Sequence, residues 1–140
     1  MPVARTRSTP LFALAGVLAA GLAAAPALAD EDHPALTGAV KAFHDVLSPD
    51  WHAAPGTARN ASACGNAGRY ASLSGEIAAQ PAPAGVDGAA WKSAAAGLRD
   101  ASAALGAYCG GGTPANVEAG LATLHDRFHD VMKVLKPDAQ

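Results

Sequence analysis

The stretch that decides the fold is Thr113 to Lys136, TPANVEAGLATLHDRFHDVMKVLK. Val117, Leu121, Leu124, Phe128, Val131 and Leu135 recur at alternating steps of four and three. That spacing is a heptad seam, with Leu121, Phe128 and Leu135 at a and Val117, Leu124 and Val131 at d, so the stretch reads as a helix with one buried stripe. His125 falls at e, on the shoulder of the seam, and His129 lies one turn further along the same flank. Two imidazoles at i and i+4 can converge on one small target such as a metal ion.

The other end of the chain reads as a targeting signal. Arg5 and Arg7 precede an Ala/Leu/Val run over 11–28, and Ala27-Leu28-Ala29 fits a small-x-small cleavage site. The apolar run is short, and Gly16, Gly21 and Pro26 interrupt it, which disfavours a permanent anchor. Residues 1–29 are therefore expected to be a secretory signal peptide, and the protein to be periplasmic or secreted. Its removal from the 140 residues leaves 111, enough for one domain with a modest core, residues 30–140. That part keeps eight of the ten Lys/Arg and all twelve Asp/Glu, a net charge near −4. Without a basic patch it is a poor match for nucleic acid or, once the signal is gone, for a membrane surface. Both cysteines, Cys64 and Cys109, fall in the exported part, where an oxidising compartment favours a disulfide; no CxxC pair points to thiolate metal binding.

Three more helices precede the last. Leu36, Val40, Phe43 and Leu47 repeat the heptad seam in miniature and put His44 at e; Ser48-Pro49-Asp50 then stops or kinks the helix ahead of Trp51 and His52. A second helix over about 58–79 would turn Ala63, Ala67, Tyr70, Leu73 or Ser74, and Ile77 inward. Gly65, Gly68 and Gly75 weaken it, each by about 1 kcal/mol relative to Ala. Gln80 to Gly85 is a break. The third helix begins near Asp87 and carries Trp91, Ala94, Leu98, Ala101, Leu105 and Tyr108 at helical spacing until Cys109 and three glycines end it. Thr113-Pro114 supplies a cap and a first-turn proline for the last helix. No stretch alternates with period two. The expected fold is all-α, an antiparallel up-down-up-down four-helix bundle pinned by Cys64–Cys109.

In such a bundle the first and last helices are antiparallel neighbours. Aligning about 34–54 with about 115–136 puts His44 level with His125, with His129 roughly one turn, about 5.4 Å, away. His52 lies eight residues, about 12 Å, beyond His44 on a straight helix, and on geometry alone it would join only if the chain folds back at Pro49. Glu118 is the alternative neighbour for His52. His33 sits at the start of the helical region and is left outside the site. An imidazole set without thiolate suits zinc or copper, with nickel and cobalt next, and not calcium or magnesium. Asp45, Asp126 or Asp130 could orient a ring from behind. Two readings compete: boundary histidines bonded to backbone and solvent, and a copper chelate at Glu31-Asp32-His33 should cleavage fall one residue later. Phe43, Phe128, Trp91 and Tyr70 read as core.

On the segments FHDVLSPDWH (43–52) and HDRFH (125–129) the chain resembles a loosely defined group of small, exported, mostly uncharacterised helical bacterial proteins. The resemblance implies that His44, His52, His125 and His129 form one site, and it brings no established activity. In architecture the chain is also similar to the periplasmic four-helix cytochromes, but no CxxCH is present for covalent haem. A haem b held by His44 or His125 with Met132 stays open as an alternative.

The expected function is a periplasmic metal-binding bundle that buffers, carries or senses a divalent transition metal. The alternatives are an electron-transfer b-type haem protein and a ligand-free bundle that pairs with itself or with an unidentified periplasmic protein. No phosphate-binding loop, nucleophile elbow or placed carboxylate pair argues for an enzyme.

Overall fold

The computed structural model describes residues 36–136. The signal peptide expected over 1–29, the acidic start and the copper chelate weighed at His33 all fall outside the described residues. Five helices follow one another: α1 (Gly38–His52), α2 (Thr57–Gly65), α3 (Ala67–Ala79), α4 (Gly88–Gly111) and α5 (Pro114–Leu135). Among the described residues there is no strand, and no helix is long and apolar enough to cross a membrane.

The ends form where local chemistry asks for them. The Asp87 side chain accepts from the N–H of Ala90 at the start of α4. Thr113 and Asn116 make reciprocal capping bonds at the start of α5, with Pro114 just inside. The long middle helix α4 packs most extensively against α5 and α3, and α1 lies chiefly on α3. The expected seam of α5 is buried from Val117 to Val131, with Leu135 only partly covered. Phe43 of α1 stacks on Phe128 of α5 (5.4 Å, 14°) and meets Tyr70 of α3 at 5.4 Å, so three helices share one aromatic knot. Cys64 near the end of α2 is disulfide-bonded to Cys109 in the last turn of α4, which suits an oxidising, non-cytoplasmic compartment.

Three expectations are corrected. The second helix is two helices, broken at Asn66, whose backbone sits in the bridge region (φ −91°, ψ −3°). Its side-chain amide donates to Asp50, and Gly65 and Gly68 on either side make the break cheap. Tyr108, expected inward, is 38% exposed at the end of α4, while of the two residues offered for one inner position of the second helix Ser74 is fully buried and Leu73 partly. Of the stop or kink expected at Pro49, the stop does not occur: α1 runs on to His52. The cost of that interior proline is offset one residue later. Asp50 is 2% exposed and accepts bonds from Ser62 Oγ (2.5 Å), Asn66 Nδ2 (2.9 Å) and the Tyr70 hydroxyl (2.5 Å). Donors from α2, α3 and the residue between them thus hold the last turn of α1. Burial, reinforced by the neighbouring carboxylate, pushes the Tyr70 hydroxyl well above its ordinary range and keeps it a donor.

Candidate functional site

His44, His52, His125 and His129 line a single cavity of about 270 Å³ between α1 and α5, together with Leu47, Trp51 and Phe128. His125 and His129 are on adjacent turns of α5, and their Nε2 atoms are 3.1 Å apart with the rings edge to face (68°). His125 also lies flat on the Trp51 indole, centroids 3.9 Å apart and planes within 12°. His44 tilts over Phe128 at 5.9 Å. His52 ends α1 on the exposed side of the cavity.

The register differs from the expected one. Trp51, not His44, stacks on His125, while Phe43 and His44 are beside Phe128. Residues that meet still progress in opposite senses along α1 and α5: the Phe43–Phe128 pair is two residues from the expected alignment and the Trp51–His125 pair seven. With the Phe43 and Phe128 rings side by side, a straight antiparallel register would set residue 46 level with His125, so the Trp51 indole reaches His125 from about five residues further along α1. His52 also lines the cavity with α1 unbroken, so no fold-back at Pro49 is needed.

The electrostatics favour a neutral His125. Burial pushes its imidazole below the ordinary value and the charge of His129 adds to this; Asp126 works the other way, and His52 contributes a further lowering. Among the described residues, His125 Nδ1 is buried without a hydrogen-bond partner: the nearest Asp126 oxygen is 3.7 Å away, beyond bonding distance. The other proposed orienting groups are engaged elsewhere. Asp45 pairs with Lys41 at 2.6 Å, though its other oxygen is 3.9 Å from His44 Nδ1, and Asp130 pairs with Arg127 and Lys133. Glu118, the alternative neighbour offered for His52, takes bonds from Arg59 of α2 and from the backbone N–H of Gly56 at 3.2 Å. Among the described residues, no three His, Cys, Asp or Glu side chains are gathered tightly enough to hold a metal ion as they stand. Met132 is buried in the core and does not line the cavity.

Sequence reasoning missed three residues that shape the site. Trp51 reads as lying past a stop or kink of the first helix, yet it forms the wall under His125. Asp50 read as a helix stop, yet it anchors that wall from behind. Arg59 carried no signal, because nothing in local periodicity marks a residue that acts across three helices. No family model, curated protein or solved structure matches the chain.

Proposed function

We propose that the protein is a periplasmic transition-metal-binding bundle that buffers, carries or senses a divalent ion. In this reading His125 and His129 supply the first two ligands, and His44 and His52 complete the set from α1. The architecture proposed with it is an antiparallel up-down-up-down bundle in which α2 and α3 together form the second, broken helix. The disulfide that links this broken helix to α4 supports both that topology and an exported location.

One observation carries the metal reading: the 3.1 Å separation of two Nε2 atoms in a cavity that four histidines line. With metal–nitrogen bonds of about 2.0–2.1 Å, that separation corresponds to a ligand–metal–ligand angle of roughly 100°. Such an angle suits zinc or cupric ion with further ligands, and not a two-coordinate linear ion. His44 and His52 must close on the ion by side-chain rotation, so binding and local ordering are coupled.

The test is titration calorimetry of the tag-free protein with Zn²⁺ and Cu²⁺ at pH 7.5. The expected result is near-stoichiometric binding that weakens at least tenfold in His125→Ala and fades as the imidazoles protonate in acid. Equal affinities for wild type and His125→Ala would sink the proposal.

The rival reading is a structural pair sharing one proton, since 3.1 Å is also a hydrogen-bond length. It predicts no metal uptake and a loss of stability in His129→Ala.

A further inference from the structure

We infer that Arg59, which does not line the histidine cavity, is its positioning residue: it clamps Trp51 and so fixes the surface on which His125 rests. Its guanidinium lies over the indole, 5.6 Å from the ring centre, within the range of a cation–aromatic contact. Nη1 points at the Trp51 carbonyl oxygen at 3.4 Å, and Nη2 is bonded to Glu118. The Arg59 side chain is only 11% exposed, and among the described residues its Nε–H is buried without an acceptor, so that there Glu118 and Trp51 account for its side-chain hydrogen bonds.

These contacts close a circuit. Glu118 and His125 both belong to α5, two turns apart; Glu118 holds Arg59 of α2, Arg59 holds Trp51 of α1, and Trp51 stacks on His125. The loop between α1 and α2 joins in through Gly56, whose N–H donates to Glu118 from a φ of 138° that suits glycine alone. An arginine fits this place better than a lysine, since its planar fork reaches a carboxylate and a carbonyl while its face covers an aromatic ring. Asp50, one residue before Trp51, fixes the backbone of the same turn from the opposite partners, Ser62, Asn66 and Tyr70. The indole is thereby held from both its main chain and its ring.

The consequence for metal affinity rests on the reading proposed above, whereas the placing of the rings does not. The test is therefore made first on the metal-free full chain, by nuclear Overhauser contacts between the Trp51 indole and His125 imidazole protons. Arg59→Met keeps the stem and removes the charge and the fork; Arg59→Lys restores the charge alone. The expected result is a several-fold loss of these cross-peaks in Arg59→Met, partial recovery in Arg59→Lys and an intermediate loss in Glu118→Gln, with far-UV dichroism unchanged. Zinc affinity should fall roughly tenfold in Arg59→Met, the scale of a partly buried cation–aromatic contact. Full-strength cross-peaks in a folded Arg59→Met protein overturn the inference. Should that variant fail to fold, undiminished cross-peaks in Glu118→Gln do the same. A wild type that takes up no zinc while its variants lose the cross-peaks refutes the metal reading and leaves Arg59 in its positioning role.

Discussion

Replacing Asp50 with alanine should be the most damaging single change in the chain outside the apolar core. Its carboxylate is 2% exposed and receives three donors, Ser62, Asn66 and Tyr70. A hydrogen bond to a charged acceptor contributes about 1.5–3 kcal/mol, and a buried donor left without one costs about 1–3 kcal/mol. The three losses do not add fully. Ser62 and Asn66 lie near the surface and can turn to water, whereas Tyr70 is fully buried. A net cost of about 3–4 kcal/mol follows, against a total stability of about 5–15 kcal/mol for a domain this size. With a urea slope of about 1.5 kcal/mol/M, the unfolding midpoint should drop by roughly 2 M. The assay is urea denaturation followed by far-UV dichroism, completed by a double-mutant cycle with Tyr70→Phe. The single Tyr70→Phe change should cost about 1–2 kcal/mol, and the two together less than their sum. A midpoint shift under about 0.5 M at unchanged slope, or strict additivity, would refute the view that this carboxylate joins α1 to α3.

Three further outcomes are expected. The Cys64–Cys109 disulfide closes a loop of sequence separation 45, worth about 4 kcal/mol in chain entropy; reduction or Cys64→Ser with Cys109→Ser should lower Tm by more than about 10 °C, as scanning calorimetry would read. His125 is held below the ordinary imidazole value by its burial and by His129. Below pH 6.5 the unfolded chain therefore binds the proton more readily, and metal-free stability should fall as pH drops through that value, with His125→Gln flattening the slope of urea midpoint against pH between 5 and 7.5. The Glu118 carboxyl is held below its ordinary value chiefly by the Arg59 bond, so its contribution is present above about pH 4.5 and lost as pH falls through the lowered value; the gap in urea midpoint between wild type and Glu118→Gln should be open at pH 7 and close toward pH 3.

Much of this molecule was legible residue by residue. The seam of α5 and its caps at Thr113 and Pro114, the start of α4 at Asp87 and the pairing of the two cysteines each follow from the sequence. They depend on helical period, end-group chemistry and redox setting, all of which act over a few residues or, for the cysteines, admit one pairing. The four histidines were legible as candidates for the same reason: His44 and His125 occupy matching shoulders of matching seams, and the structure puts all four on one cavity.

What the sequence could not decide is how one seam slides along another. That is fixed by which large rings fit side by side, here Phe43 on Phe128 and Trp51 on His125. Only tertiary contact explains why a helix continues through Pro49 and why the second helix breaks at Asn66: in both, a buried Asp50 recruits donors from 12 to 20 residues away. The same holds for the path from Glu118 through Arg59 and Trp51 to His125. Sequence determined which faces must be buried, because periodicity is a property of a single helix; the fold alone determined what those faces meet, because packing is settled between residues far apart along the chain.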